Sequence, residues 1–118
     1  MSNLRTLQEI CKLTGVSRRA VQGYEKAGLV SSVDRNKYGH LLYGEKEYER
    51  IAKIKLYQEL RFSVKEIKLL IDAPNYIVKE ALEKQLVTLR EEKVKTEKLI
   101  RIAEAMILEL SEEARNEK

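Results

Sequence analysis

Arg18, Arg19 and Gln22 stand close together in the stretch TGVSRRAVQGYEKAGLV, residues 14–30. On a helix beginning after Ser17 they share the outward face, because positions three and four apart are neighbours. Arginine can form two parallel hydrogen bonds with guanine, and glutamine can do the same with adenine. Each such pair supplies about 1–3 kcal/mol of base discrimination. Ser17 and Tyr24 complete the candidate recognition-helix set, with Val21 and Tyr24 leaning toward the core. A second group, Arg35, Asn36, Lys37, Tyr38 and His40, lies in a polar loop from which side chains could reach phosphates and the minor groove. Contacts of that kind fix register without reading sequence.

The remaining residues offer little other chemistry. One cysteine and one histidine, far apart, cannot form an internal disulfide or complete a tetrahedral metal site. The sequence contains no Ser/His/Asp or Cys/His set and no glycine loop built to cradle phosphate, so neither enzyme activity nor a cofactor is expected. Glu91-Glu92 and Glu112-Glu113 read as solvated helix flanks.

The 118 residues are 36% charged and 43% hydrophobic, with one proline and five glycines, a composition expected of a mainly helical, soluble protein. No run approaches the twenty apolar residues of a membrane span, and the N-terminus lacks the apolar core of a signal peptide. Neither a membrane partner nor an oxidising compartment is expected, and the expected location is cytoplasmic. Residues 1–73 carry 14 Lys and Arg against 9 Asp and Glu, whereas residues 74–118 carry 9 against 10. The basic excess thus lies entirely in the N-terminal part, where it favours a nucleic-acid partner.

Two short helices must position Arg18 and Arg19. Thr6-Leu7-Gln8-Glu9 has the form of a capping box opening a helix over about 7–12. Gly15 supplies the turn, Ser17 caps a second helix running to Lys26, and Gly28 lies near its end. Cys11 is expected at the crossing of the two helices, flanked by Val16 and Val21. Val30 to Val33 and Leu41 to Tyr43 predict a hairpin around residues 34–39, with Tyr43 packed inward. A third helix over 45–60 should bury Tyr48, Ile51, Ile54, Leu56 and Leu60. Ser63-Val64-Lys65-Glu66 opens a fourth helix burying Val64, Ile67, Leu70 and Ile71, before Pro74 breaks the chain. The expected domains are therefore 1–73 and 75–118.

Beyond Pro74, Leu82, Leu86, Leu89, Ile100, Ala103, Ile107 and Leu110 recur in alternating steps of three and four, with Lys93 and Thr96 filling the same seam. A lone helix of roughly 35 residues, about 50 Å long, would leave that stripe in water. A second copy of the chain is the simplest partner, giving a homodimeric coiled coil.

In order and spacing these segments resemble the MerR family of bacterial transcription regulators, closely over residues 4–73 and in architecture beyond. The shared pieces are TGVSRRAVQGYEKAGLV, the hairpin ending in GHLLY, and ELRFSVKEIKLLID before a long helix. The resemblance implies a winged helix-turn-helix domain joined to an antiparallel dimerisation coiled coil. It further implies a homodimer that bends and untwists double-stranded promoter DNA at an inverted repeat, acting on RNA polymerase indirectly, and it places Arg19 nearest the bases. Three departures stand out. Gln22-Gly23-Tyr24-Glu25 replaces arginine-tyrosine-tyrosine-glutamate, Gly39-His40-Leu41 replaces Gly-Tyr-Arg in the wing, and Arg61 stands where a glycine commonly ends the third helix. Arg18, Lys37, His40 and Arg61 are the cations available to compensate.

The family's metal sensors carry cysteines near the end of the dimerisation helix, and its drug sensors carry an additional domain. Here no cysteine follows Cys11, and Ser111 to Lys118 are too few to enclose a ligand. No effector, a small ligand at the dimer junction, and a signalling partner all remain open. Two other readings compete: a coiled-coil module whose winged domain binds protein, and an architectural or excision-type DNA binder.

Overall fold

The computed structural model describes residues 4–117, and the chain divides into two compact units between Pro74 and Asn75. The first unit runs β1 (Arg5–Thr6), α1 (Leu7–Thr14), α2 (Arg18–Lys26), β2 (Asp34–Arg35), β3 (Leu41–Tyr43), α3 (Glu45–Glu59) and α4 (Val64–Leu70). The second is one helix, α5 (Asn75–Asn116), of 42 residues. The architecture is mainly α: a winged helix-turn-helix followed by a long helix.

Local signals set most of the boundaries. The Thr6 hydroxyl accepts from the Glu9 N–H at 3.3 Å while Glu9 accepts from the Thr6 N–H at 3.0 Å; Ser63 and Glu66 repeat this box at α4. The backbone N–H groups of Thr6 and Ser63, and then their hydroxyls, hold the Glu9 and Glu66 carboxyls below their ordinary value of 4.5. The stability each box contributes is therefore present above pH 4.5 and lost as pH falls through the lowered native values. Ser17 caps α2 by accepting from the Ala20 N–H at 3.0 Å. Gly44 has no side chain to offer α3, so Glu47 reaches back to its N–H at 3.0 Å.

Gly15 closes α1 at φ 74°, its N–H donating to the Cys11 carbonyl at 2.9 Å. The turn is buttressed from α3, where the Lys55 ammonium donates to the Thr14 carbonyl at 2.8 Å. A Cβ on Gly15 would come within 2.9 Å of that ammonium, which would have to shift, but it is the positive φ that calls for glycine.

Ile10, Val16, Val21, Tyr24, Leu29 and Val30 meet Tyr43, Ile51, Ile54, Tyr57, Phe62, Ile67 and Leu70 in one core. Several expectations are corrected here. The first helix runs on to Thr14, and its fully buried residue is Ile10, with Cys11 half-buried. Leu56 is exposed and Tyr57 takes the buried position, because α3 presents Ile51, Ile54 and Tyr57 at successive steps of three. Tyr48, Leu60, Val64 and Ile71 are only half-buried.

The sheet also differs from the expected hairpin. β3 is central in a three-stranded antiparallel sheet of order β1-β3-β2, pairing Arg5 with Tyr43 and Asp34 with Leu42. The first arm is Asp34–Arg35, not Val30 to Val33, because Val30 sinks into the core and only the Val33 N–H reaches β3, at Leu42. β1 was hidden in the sequence by its length of two residues.

α3 ends on Arg61, whose φ of 70° makes it the one non-glycine residue in the left-handed region among the described residues. The Arg61 N–H donates to the Gln58 carbonyl, and Phe62 returns to the Tyr57 carbonyl, as at glycine-terminated helices. A side chain in this region costs about 1–2 kcal/mol, partly offset by the greater unfolded freedom of glycine. Arg61→Gly should therefore stabilise the first unit by about 0.5–1 kcal/mol. Thermal unfolding followed by circular dichroism would show it as a midpoint raised by about 2–6 °C. An unchanged or lowered midpoint would show that the left-handed backbone is not what this position costs.

Candidate nucleic-acid interface

Arg18, Arg19, Gln22 and Lys26 are exposed along one side of α2, with Val21 and Tyr24 buried on the other. Three of the four were expected from the sequence. Lys26 was missed, although its spacing of four from Gln22 places it on the same face. Gly23 lies on this side too, and a Cβ there would meet nothing within 4 Å, so packing within the chain does not require glycine.

Tyr24, a candidate recognition-helix residue expected to lean toward the core, lies within the core. It is 3% exposed, and its hydroxyl donates to Gln58 Oε1 at 2.6 Å. Burial pushes its phenol above the usual value, so it stays a neutral donor to α3. Glu25 accepts a short hydrogen bond from the Tyr43 hydroxyl. Tyr43 is 1% exposed, and burial first, then the Glu25 carboxylate, pushes its phenol far up. Arg50 of α3 completes the frame. Its Nε donates to the Leu29 carbonyl just after α2, while its two terminal nitrogens grip Asp72 at 2.6 and 2.8 Å. α2 is thus tied to α3 and β3 by polar contacts near its C-terminal end, leaving its arginine-bearing start facing outward.

The wing turn is built by its own residues. Asn36 Oδ1 accepts from the N–H groups of Tyr38 at 2.9 Å and His40 at 3.0 Å, and Gly39 adopts φ 81°. Arg35 donates to the Gly39 carbonyl at 2.7 Å. Asn36, expected to face a polyanion, therefore spends its acceptor on shaping the loop, and Arg35 spends one donor the same way. Lys37 and Tyr38 remain outward, with Tyr38 72% exposed and the Lys37 ammonium 5.1 Å from its ring centre. His40 lies with its ring 6.2 Å from that of Tyr38.

A cleft of about 180 Å³ joins the wing to the helix-turn-helix, lined by Thr6, Leu7, Gln8, Arg18, His40 and Leu41. Gln8 was not singled out in the sequence, since only the pairing of β1 with β3 brings it beside His40. Among the described residues, no group of three His, Cys, Asp or Glu side chains could hold a metal ion, and no helix is long and apolar enough to cross a membrane.

On α5, Leu82 and Leu89 are half-buried, whereas Leu86, Ile100, Ala103, Ile107 and Leu110 are exposed. Leu86 is 46% and Ile107 63% exposed, and at 42 residues the helix extends about 63 Å.

Residues 5–73 match the model of the MerR HTH family regulatory protein. The HTH-type transcriptional activator mta of Bacillus subtilis (strain 168) is 28% identical over 102 residues, 86% of this chain and 40% of that protein. The chain thus spans well under half the length of that curated relative. Among solved structures, the N-terminus of the Bacillus subtilis multidrug transporter activator, MtaN, superposes with a TM-score of 0.71 at 27% identity, covering 88% of this chain and 98% of that one. HiNmlR, a MerR family regulator lacking the sensor domain and bound to promoter DNA, shares the fold at a TM-score of 0.65 and 18% identity, over 82% of this chain and 78% of that one.

Proposed function

The chain belongs to the MerR helix-turn-helix family of regulatory proteins, and from that premise we propose that it is a homodimeric transcription regulator that binds an inverted repeat in promoter DNA and distorts it. One observation carries the reading. Arg18, Arg19 and Gln22 face outward together from a helix whose other side is fixed to α3 and β3, with Lys37 and His40 on the adjoining wing. Arginine and glutamine on such a helix can read base edges in the major groove, while the wing holds phosphates. The winged unit, residues 1–73, is the DNA-binding domain, and residues 75–118 are the dimerisation helix. Two winged units related by a two-fold axis require half-sites related by the same symmetry. The promoter-DNA complex of HiNmlR supports the choice of ligand.

Distortion follows from fixed separation of the two units, and it would let misaligned promoter elements face one polymerase. Bending a site of this size costs about 1–6 kcal/mol, which interface contacts must offset. Gln22, Gly23 and Leu41 stand where family members place groups that grip the backbone, so a smaller bend than the family norm is expected. Genomic footprinting should reveal protection of an inverted repeat inside a promoter, and circular-permutation gels on that site should show mobility that varies with its position. Straight DNA in a saturated complex would remove the distortion while leaving DNA binding. Protection confined to an attachment site would point to excision, and no footprint anywhere would point to a protein-binding module.

A further inference from the structure

Glu25 is the only acid on α2, at the negative end of the helix dipole, where a carboxylate is unfavourable. By helical spacing it lies on the same edge of α2 as Arg18 but two turns, about 10 Å, further along, between the buried Val21 side and the outward face. β3 adjoins this edge, since Arg18 lines one cleft with His40 and Leu41. A half-buried carboxylate therefore stands on the edge of the recognition helix that faces β3, and on the DNA-binding reading above a backbone held by both helix and wing would run near it.

We propose that Tyr43 is a positioning residue for DNA binding, its hydroxyl holding the Glu25 carboxylate against β3 and away from the phosphate path. This rests on the DNA-binding reading above. Tyr43 is itself firmly held, with its ring 1% exposed and its backbone paired with Arg5 in the sheet. Its hydroxyl donates to Glu25 Oε1, drawing the acid's charge toward a buried phenol that burial and the carboxylate keep protonated. A charge-assisted bond of this kind is about twice as strong as one between neutral groups. Released, the same carboxylate would swing free at the end of α2, where it would repel phosphate held along the outward face.

Tyr43→Phe keeps the ring and removes only the hydroxyl. In a fluorescence anisotropy titration with the footprinted duplex, it should weaken binding about five- to tenfold at low salt, the scale of moving one existing like charge into reach of a phosphate. The deficit should shrink as salt screens it. Adding Glu25→Gln should return affinity to within about twofold of the parent, because the uncharged amide no longer repels phosphate. Thermal melts establish that both variants are folded at the assay temperature. Parent-like binding by Tyr43→Phe overturns the proposal. So does a loss that salt leaves unchanged and Glu25→Gln does not recover, since the hydroxyl would then act through geometry alone. A parent that binds no duplex in the same titration refutes the DNA-binding reading itself, and this inference with it.

Discussion

Ile107→Asp should leave the protein monomeric at micromolar concentration in light scattering, and Leu86→Asp should do so less completely. Both side chains belong to the stripe that α5 exposes on its own, and a carboxylate in a closed seam would be buried without a partner. The difference comes from the width of the stripe. Between Leu99 and Leu110 nine of the twelve residues are apolar: Ile102, Met106, Leu99, Leu110, Ala103, Ile107 and Ile100 fill a continuous arc of about 160°, at 100° per residue, with Ala105 and Leu108 outside it. Around Leu86 the stripe is narrow and polar residues flank it. More apolar surface therefore closes over residue 107 than over residue 86. Dissociation should also lower affinity for a two-half-site operator by at least about a hundredfold, because engagement of the second half-site is no longer intramolecular. An unchanged dimer in both single variants would remove the coiled coil.

What could be read from the sequence was whatever a few neighbouring residues decide among themselves. The capping boxes at Thr6 and Ser63, the Ser17 cap and the Gly15 turn each depend on contacts within four residues, and all four are present. Helix phase was legible only in part. Ile51 and Ile54 fit the spacing, but Leu56 and Tyr57 compete for the next inward position, and only the fold of α3 gives it to Tyr57. The sheet was least legible, because strands of two and three residues carry too short an alternation to register. Long-range ties left no sequence signal at all. Nothing local relates Tyr24 to Gln58, Glu25 to Tyr43 or Arg50 to Leu29 and Asp72, yet these contacts fix how α2 presents its arginines. Arg61 is intermediate: its place at a helix end was readable only by likeness to a family glycine, and its positive φ explains why glycine suits the position.

The same frame gives the recognition helix its sharpest test. Arg19→Ala should weaken binding to the cognate site by about 1–3 kcal/mol, or about 5- to 150-fold, while leaving most nonspecific binding intact. The separation is possible because Arg19 is exposed on α2 with no hydrogen bond or ion pair to the rest of the described chain, so truncation leaves no buried group stranded. Its removal should also relax preference at one base pair per half-site, which a panel of single-substitution duplexes would locate. Lys37→Ala should behave in the opposite way. Lys37 stands exposed on the wing turn beside Tyr38, where it can neutralise a phosphate but is not placed to distinguish one base from another. Its removal should weaken every duplex to a similar extent and reduce the salt slope of log K by about one unit for each phosphate it no longer neutralises. The paired result discriminates because a merely basic surface would give both variants the uniform, salt-dependent loss. If Arg19→Ala holds its operator as tightly as the parent, or loses affinity equally for all sequences, then α2 positions the protein on DNA without reading it, and specificity must reside in the deformability of the site.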